Sequence, residues 1–462
     1  LLAAAPRVPT PRLDYKQVQN IALPGGETGT ENFYYLNYGP GGPPRPLVIA
    51  FHGYNASGLD PITQSSIARE AIERDWLVLA PNGRKTADHG TPDAVAHVDA
   101  VVRTLIDMGD VDTQKIYCIG FSAGGGFALT FASSSQDPRS YRIAAVANHT
   151  GVISNTANFV RATPNGCGQD FYRSITGSQY NDDFCFVSPN TVCQVNGSTA
   201  PWQSILPQCT SGIPWGNFFP TEFSPYSHPF EYFRAEALPL EEDASGAFDP
   251  IAGTIPFATN LKHIPVRTHY SQTDPLLHLA KMNSAFDEFM VNTLVADDYG
   301  TVFLPASTHE WDNMDIDAVF DWFDQVGVPT GPALDGSVHQ TVFDRNGRIQ
   351  YFDIEQTAQG AMSSLQWQMA NLGAQGNHLR FSAGVGLESV NVNSVTFDWE
   401  EAGLQRPFKL ILGEEVSGQL VTVYFENVPD PGFVLPGSGC PPTGMCTWTC
   451  LLYTSPSPRD QL

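Results

Sequence analysis

The sequence predicts an α/β protein built around a mostly parallel sheet with helices on both faces. Three observations lead to this fold class. Short continuous apolar runs, which are typical of buried parallel strands, recur along the first two thirds of the chain. Amphipathic segments of helical period separate these runs. The chain of 462 residues is 42% hydrophobic, which is enough to bury a large core.

The predicted elements alternate along the chain. After an exposed strand at 32–39, buried strands are predicted at 46–51 and 76–81, and further strands at 115–120, 143–148, 264–270 and 301–306. Helices are predicted at 61–75, 94–109, 126–134, 278–292 and 314–326. Repeated strand–helix units favour a parallel sheet, because each helix returns the chain to the end of the sheet where the previous strand began, so that the next strand runs in the same direction.

The sequence divides into regions of different composition. Residues 1–12 are interpreted as the end of a leader peptide and 13–327 as the main α/β domain, in which 149–262 form a long insertion. The insertion is expected to be a lid or binding surface, or a small core of its own. Two disulfides are expected there, with the pairing open, and they indicate an extracellular location. The cysteines concerned are Cys167, Cys185, Cys193 and Cys209.

Beyond residue 327 the hydrophobic period changes to two. Residues 328–336 are predicted to be a linker and 337–430 a β-rich, sandwich-like module, with a hairpin that turns at Asn346-Gly347. Residues 431–449 are interpreted as a second linker or the start of a further module. The last residues, 450–462, resemble a translated sequencing adapter and are left out of the fold prediction.

The charge of the chain excludes several classes of partner. Its 48 acidic and 24 basic residues give a formal net charge of −24, which repels nucleic acid and anionic lipid. No apolar run approaches the roughly 18 residues that a membrane helix needs. Neither a nucleic-acid nor a membrane partner is therefore expected, and the oligomeric state stays open.

A serine in a glycine-rich turn is the first candidate catalytic residue. Gly120-Phe121-Ser122-Ala123-Gly124 matches G-x-S-x-G between a predicted strand and a predicted helix. Glycines two residues before and after the serine leave room for neighbouring backbone, so the serine can adopt a strained conformation and expose its hydroxyl at a helix N-terminus. The pattern therefore predicts that Ser122 is a nucleophile.

A nucleophilic serine needs a base and an acid, which in this fold follow it in the order acid, then histidine. Asp274 comes directly after the predicted strand at 264–270, and His309 follows the one at 301–306. Both loops follow the carboxyl ends of predicted parallel strands, where proteins with an α/β sheet form their active sites. Other histidines and acids fit less well, because they lie inside a predicted strand or at helix starts: His269, His278, Asp312, Asp315 and Asp317.

Backbone amides are the expected oxyanion donors. Ala123 follows the nucleophile, and Tyr54 follows His52-Gly53 at the end of the strand at 46–51. A zinc peptidase is not indicated, since Asn313 stands where H-E-x-x-H would need its second histidine.

Several segments resemble the polyhydroxybutyrate-depolymerase and feruloyl-esterase group of secreted α/β-hydrolases. They are PLVIAFHGYNASG, WLVLAPNG, the stretch from HVDAVV to ANHTG, and QTDPLL. The likeness covers 30–150 closely and 264–325 more loosely. It implies an α/β-hydrolase fold and ester hydrolysis by Ser122, Asp274 and His309, with no metal or organic cofactor. Two departures leave substrate preference open: PAST precedes the histidine in place of a glycine-rich run, and YSQTDP stands where the family often has HG-x-x-D-P.

The resemblance leaves the substrate open. A polyester or short hydroxyalkanoate, including an insoluble polymer, is favoured, with the β-rich module either holding a solid surface or serving as a spacer. A feruloyl or acetyl ester on plant polysaccharide is the alternative. A non-catalytic binding protein and a peptidase on the same fold are further options. The candidate substrate contacts are aromatic: Trp202, Trp215, Tyr226 and Trp311.

Overall fold

The computed structural model describes two stretches of the first 327 residues and a set of C-terminal strands. The first stretches are 10–162 and 229–327, apart from 25, 40–41, 55, 84–89, 135–139, 244 and 306–307. The C-terminal residues described are 335–356, 362–371, 377–382, 394–398, 408–416, 419–425, 438–439 and 445–449. The described residues divide into two compact units, one up to Gly327 and one from Asp335. The predicted domain boundaries stay predictions.

An eight-stranded sheet organises the first unit. Its strands are Arg12–Ala22 (β1), Thr28–Asn37 (β2), Arg45–Phe51 (β3), Leu77–Pro81 (β4), Val111–Phe121 (β5), Ile143–His149 (β6), Val266–Tyr270 (β9) and Tyr299–Phe303 (β10). They lie in the order β1-β2-β4-β3-β5-β6-β9-β10. β2 runs antiparallel to both neighbours, and every neighbouring pair from β4 to β10 is parallel. The predicted α/β-hydrolase-like fold with a mostly parallel sheet is confirmed.

Helices cover both faces of this sheet. They are Asp60–Thr63 (α1), Ile67–Glu73 (α2), Pro92–Asp107 (α3), Ala123–Ser134 (α4), Asn155–Ala162 (α5), Pro229–Phe233 (α6), Leu277–Glu288 (α7) and Ile316–Gln325 (α8). One buried apolar cluster joins α3, α4 and α7 to one face, and a second joins α2 and α8 to the other. Among the described residues, no helix combines the length and the apolar character that crossing a membrane requires.

The ends of α3 and α8 follow local rules. Thr91 accepts a hydrogen bond from Ala94 N at 3.2 Å, and Pro92 occupies the first turn of α3. α3 stops before Gly109, whose φ is 79°. Asp315 caps α8 in the same way, by accepting from the amide of Ala318 at 3.1 Å.

In the first unit, one predicted helix is interrupted and one strand was not predicted. The helix predicted at 61–75 is divided, because Ser65 Oγ donates to the Pro61 carbonyl at 2.5 Å and accepts from Ile67 N at 3.2 Å, which competes with helical hydrogen bonds. β1 (Arg12–Ala22) was not predicted from the sequence. It pairs with β2 alone and is mostly exposed, so it lacks the apolar pattern of a buried strand.

Both ends of the predicted insertion pack on the main core. A short hairpin, Leu240–Glu242 (β7) and Phe248–Pro250 (β8), and a 3₁₀ turn at Phe257–Leu261 follow α6. Leu238 and Leu240 belong to the same buried cluster as α3 and α4. The four clustered cysteines lie outside the described residues, so the disulfides stay a prediction.

A buried carboxylate joins the two ends of the insertion. Glu236 accepts hydrogen bonds from Ser154 Oγ at 2.8 Å, Thr156 N at 2.9 Å and Thr156 Oγ1 at 2.8 Å. These donors stand at the start of α5, so the carboxylate satisfies groups that a helix N-terminus leaves free. Burial raises the pKa of Glu236 to about 7, although these hydrogen bonds oppose the shift. We call Glu236, Ser154 and Thr156 the anchor cluster.

The second unit holds two five-stranded sheets. One has the order β11-β14-β15-β17-β18 and the other β12-β13-β16-β20-β19. The first sheet comprises Asp335–Phe343 (β11), Ser363–Asn371 (β14), Asn377–Ser382 (β15), Phe408–Val416 (β17) and Gln419–Phe425 (β18). The second comprises Gly347–Ile349 (β12), Phe352–Glu355 (β13), Ser394–Asp398 (β16), Ser438–Gly439 (β19) and Met445–Thr449 (β20). A sandwich arrangement of the two sheets stays a prediction.

The hairpin predicted at Asn346-Gly347 is wrong. β11, which precedes this turn, pairs with β14, and β12, which follows it, pairs with β13. The turn therefore carries the chain from one sheet to the other, and the hairpin turns at Gln350-Tyr351, where Gln350 has a φ of 51°. Asn346 is used differently, since its Oδ1 accepts from Gln356 N at 2.7 Å.

Candidate active site

Ser122 lies alone between a strand and a helix. β5 ends at Phe121 and α4 begins at Ala123. The φ of Ser122 is 56°, in the left-handed region, which costs a non-glycine residue roughly 1 kcal/mol or more. Its amide donates to the His149 carbonyl at 2.9 Å, and its carbonyl accepts from Val152 N at 3.0 Å. The turn is therefore strained and is fixed to the chain at the end of β6.

The glycines around the serine are required by close backbone packing. A Cβ atom on Gly124 would overlap the carbonyl oxygens of Phe51 and His52, at the end of β3. A Cβ atom on Gly120 would overlap the carbonyl of Gly124 itself. Neither overlap could be relieved by moving a flexible side chain, since each contact is with backbone. The glycines thus let β3, β5 and α4 meet at the turn that carries Ser122.

The predicted acid and base are joined by a hydrogen bond. Asp274 follows β9, His309 follows β10, and His309 Nδ1 lies 2.9 Å from Asp274 Oδ2. The other carboxylate oxygen accepts from Leu276 N at 2.7 Å, and the amide of Asp274 donates to the Ser271 carbonyl at 3.3 Å. The carboxylate is only 4% exposed. It is therefore held by its own loop and directed at the imidazole.

The imidazole of His309 lies beside the serine turn. Its ring centroid is 4.5 Å from that of Phe121, the residue before Ser122, with the planes tilted by 36°. Nε2 is buried and has no hydrogen-bond partner among the described residues, the hydroxyl of Ser122 included. A hydrogen bond between a nucleophile and its base is often long in the absence of substrate and tightens when substrate binds. The ring nitrogen that a base would use is thus unoccupied by any other described group.

The loop that carries His309 is closed by a nearby amide. Asn313 Nδ2 donates to the Thr308 carbonyl at 2.6 Å, and Thr308 Oγ1 donates to Asn313 Oδ1 at 3.1 Å. The amide of Asn313 also donates to the Glu310 carbonyl at 3.3 Å. In the sequence, Asn313 is notable only because it stands where a zinc motif would need histidine. Its loop-closing contacts are visible only in the structure.

The amides predicted to donate to an oxyanion stay a prediction, and the structure shows where the elements that carry them lie. Ala123 is the first residue of α4, where helix amides point outward and the dipole favours negative charge. Tyr54 follows Gly53, and a Cβ atom on Gly53 would lie 3.6 Å from the Cβ of Ser122. The ring nitrogens of His52 lie 2.8 Å and 3.2 Å from the Gly53 and Asn82 carbonyls, which ties this loop to the end of β4.

Two buried histidines near the site were not predicted to act there. His149 and His269 are register neighbours on β6 and β9. Burial lowers the pKa of His149 to about 3, with smaller contributions from the charges of His269 and His309. Burial also lowers the pKa of His269 to about 4, helped by the charge of Arg267. Both rings are therefore neutral at physiological pH.

Of the four aromatic residues predicted to contact substrate, Trp311 alone lies within the described residues. Trp311 is 4% exposed, and its ring lies 5.3 Å from that of Phe121 and 6.3 Å from that of His149. The remaining three aromatic residues, Trp202, Trp215 and Tyr226, lie outside the described residues. Within the described part of the chain, no three His, Cys, Asp or Glu side chains are grouped as a metal site would need.

No model of a known protein family matches the chain. Among curated proteins it is similar to a candidate esterase, NocK, from Nocardia uniformis subsp. tsuyamanensis. The two are 31% identical over 149 residues, which cover 29% of this chain and 42% of the relative. The match thus spans less than half the length of that relative.

Solved structures of hydrolases are also similar, at low identity. The S-formylglutathione hydrolase FrmB from Staphylococcus aureus has a TM-score of 0.37 and 14% identity, over 68% of this chain and 99% of its own. An esterase from Pyrobaculum calidifontis has a TM-score of 0.37 and 15% identity, over 68% and 84%. Likenesses with TM-scores this low carry no argument, so the fold assignment depends on the strand order and pairing described above.

Proposed function

We propose that the protein is a serine carboxylic-ester hydrolase with Ser122 as nucleophile, His309 as general base and Asp274 as the group that orients the base. The observation that carries this proposal is the hydrogen bond between Asp274 and His309 Nδ1, beside a serine held in a left-handed turn. The similarity to the candidate esterase NocK supports an ester as the substrate class.

In the proposed reaction, Ser122 Oγ attacks the ester carbonyl carbon while His309 Nε2 takes the hydroxyl proton. Asp274 keeps the other ring proton on Nδ1 and stabilises the imidazolium. Nε2 then gives its proton to the leaving alkoxide, which departs as the alcohol and leaves an acyl-enzyme. Water, activated by the same nitrogen, attacks the acyl carbon and releases the acid, and Ser122 regains its proton.

Amides of Ala123 and Tyr54 are proposed to hold the oxyanion of each tetrahedral intermediate. The position of Ala123 at the N-terminus of α4 supports its part, because the helix dipole favours the developing negative charge. The place of Gly53, where an added Cβ atom would lie 3.6 Å from the Cβ of Ser122, supports the part of the neighbouring Tyr54. Loss of one such donor costs about a hundred- to a thousandfold in turnover in known hydrolases.

The substrate is proposed to be a polyester or short hydroxyalkanoate, and the protein to be extracellular. The resemblance to the depolymerase group and the C-terminal β-strands support the polymer substrate. The clustered cysteines support the extracellular location. The alternative is a feruloyl or acetyl ester on polysaccharide. Clearing of an aliphatic polyester film, against release of ferulate from feruloylated sugar, separates the two. Recovery of the active protein from the medium rather than from cells tests the location.

The proposal is tested with wild-type protein and Ser122→Ala on p-nitrophenyl esters. We expect hydrolysis by the wild type only, and covalent labelling of Ser122 by a fluorophosphonate. A binding protein that kept the fold would leave the serine unlabelled while still retaining a polymer. Equal ester hydrolysis by both proteins would refute the proposed nucleophile.

A further inference from the structure

One hydrogen bond does not fix the direction of an imidazole. His309 is bonded to Asp274 through Nδ1, but the ring could still rotate about the line that joins the two atoms. Such a rotation would move Nε2, and a displacement of about 1 Å at a reacting atom can cost a hundredfold in rate. A second contact must therefore hold the plane of the ring.

The second contact comes from a cluster of three rings. Phe121 lies against His309, with 4.5 Å between ring centroids. Behind it, the ring of His149 is 4.9 Å and that of Trp311 is 5.3 Å from Phe121, and His149 and Trp311 meet edge to face at 6.3 Å. We call Phe121, His149 and Trp311 the ring cluster.

The ring cluster joins the parts of the candidate site. Phe121 directly precedes Ser122, and the carbonyl of His149 accepts from Ser122 N. Trp311 comes two residues after His309, and its carbonyl accepts from Met314 N at 3.2 Å. Phe121 and Trp311 are thus attached to backbone that carries the nucleophile and the base, and His149 to backbone that is hydrogen-bonded to the amide of the nucleophile. Their packing connects two loops that only meet in three dimensions.

Burial decides which of these rings can contact a substrate. Trp311 is 4% exposed and His149 1% exposed, so both are covered by protein. Tryptophan offers a large rigid surface to pack against, and offset or tilted ring contacts contribute about 0.5 to 1.5 kcal/mol each. His149 is neutral, so it adds a ring without a positive charge beside the imidazolium that forms on His309.

We propose that Trp311 is a positioning residue, which acts through Phe121 to hold the His309 imidazole in the plane that directs Nε2 at Ser122. This inference rests on the proposed function of the site. It assigns to Trp311 a role different from the substrate contact predicted from the sequence. A substrate contact would depend on the acyl group, whereas a positioning residue acts on every substrate alike.

The test compares Trp311→Ala and Trp311→Phe with Trp322→Ala, using p-nitrophenyl acetate, butyrate and octanoate. Trp322 is a matched control, because it lies on α8 and its described ring contacts are with Phe323 and Arg267, outside the ring cluster. For Trp311→Ala we expect kcat to fall about 10- to 100-fold by the same factor on all three esters, with KM unchanged. Trp311→Phe should restore most of the rate, and Trp322→Ala should keep wild-type kcat.

A direct readout of the imidazole completes the test. The proton on Nδ1 of His309, which is hydrogen-bonded to Asp274, can be followed by proton NMR in the downfield region. Its signal should broaden or shift in Trp311→Ala but not in Trp322→Ala. If Trp311→Ala does not fold, Trp311→Leu keeps an apolar side chain without the ring and should show the same uniform fall in kcat, while unchanged kcat in a folded Trp311→Leu would overturn the inference.

Two outcomes would overturn the inference. A rise in KM that grows with acyl length at constant kcat makes Trp311 a substrate contact, and equal effects of Trp311→Ala and Trp322→Ala make it structural only. Failure of the proposed function is distinct, because the wild-type protein would then hydrolyse esters no faster than Ser122→Ala.

Discussion

Two buried polar regions of the first unit differ in how their groups are satisfied. In the anchor cluster, Glu236 accepts three hydrogen bonds from Ser154 and Thr156. Beside the serine turn, both ring nitrogens of His269, Nδ1 of His149 and Nε2 of His309 have no hydrogen-bond partner among the described residues. A buried group without a partner costs roughly 1 to 3 kcal/mol.

The difference separates stability from activity. Strain and unmatched polar groups persist only where the surrounding structure imposes them, and such sites are commonly functional. The serine turn is strained and the unpartnered histidine nitrogens lie beside it, whereas the anchor cluster has neither feature. We therefore expect substitutions in the serine region to act mainly on turnover, and substitutions in the anchor cluster mainly on the free energy of unfolding.

The largest expected effect is on turnover. Ser122→Ala should lower kcat for ester hydrolysis by about a millionfold, because it removes the proposed nucleophile. The free energy of unfolding should change by less than about 1 kcal/mol, since the backbone contacts of the turn remain. Stopped assays on p-nitrophenyl esters and urea unfolding measure the two quantities. A variant that loses activity because it unfolds would contradict the separation.

The anchor cluster should show the opposite behaviour. Glu236→Ala leaves the Ser154 hydroxyl and two donors of Thr156 buried without an acceptor, so we expect a loss of about 3 to 5 kcal/mol in the free energy of unfolding. Glu236→Gln keeps an acceptor oxygen and should lose about 1 to 2 kcal/mol. Turnover per folded molecule should stay at the wild-type value in both, as measured by active-site titration; a fall in kcat would link the two regions.

Much of this contrast was visible in the sequence, and the reasons are local. The G-x-S-x-G pattern states a backbone requirement, so Ser122 and its turn could be predicted. Asp274 and His309 could be placed because each follows a predicted strand of the sheet. The apolar strands and the amphipathic helices were found for the same reason, whereas β1 was missed because its residues are mostly exposed.

The remaining features depend on contacts between distant segments. Nothing adjacent to Glu236 in sequence indicates that it would meet Ser154, about eighty positions earlier. His149 and Trp311 approach Phe121 only once three strands and a loop are assembled. The turn at Asn346-Gly347 has hairpin chemistry, but which strands pair across it is decided by the sheets on either side.

Acid should weaken the serine region. The pKa of His269 in the folded protein is about 4, below its ordinary value of 6.5, so the unfolded chain binds more protons between these values. The contribution of the neutral His269 ring to the free energy of unfolding is complete above pH 6.5, and it falls by about 1.4 kcal/mol per pH unit toward pH 4. Between pH 7 and pH 5, His269→Leu should therefore lose about 2 kcal/mol less than the wild type in urea unfolding. Parallel pH profiles would contradict the buried neutral ring.

The smallest expected effect concerns the strained turn. Ser122→Gly removes the hydroxyl as Ser122→Ala does, but glycine accepts the φ of 56° without a Cβ penalty. We expect Ser122→Gly to be more stable than Ser122→Ala by up to about 1 kcal/mol, with both inactive. Thermal unfolding of the two variants side by side measures the difference, and equal melting temperatures would show that the turn is relaxed.

The backbone contacts at Gly120 and Gly124 limit how this protein can be altered. Any side chain there would drive β3 and α4 apart, so the surroundings of the nucleophile offer almost no positions for gradual change. Under the proposed function, adaptation to a new ester would come from segments outside this turn, among them the loops that follow β3, β9 and β10. Libraries that diversify those loops and leave the turn untouched should retain folded members at a far higher frequency.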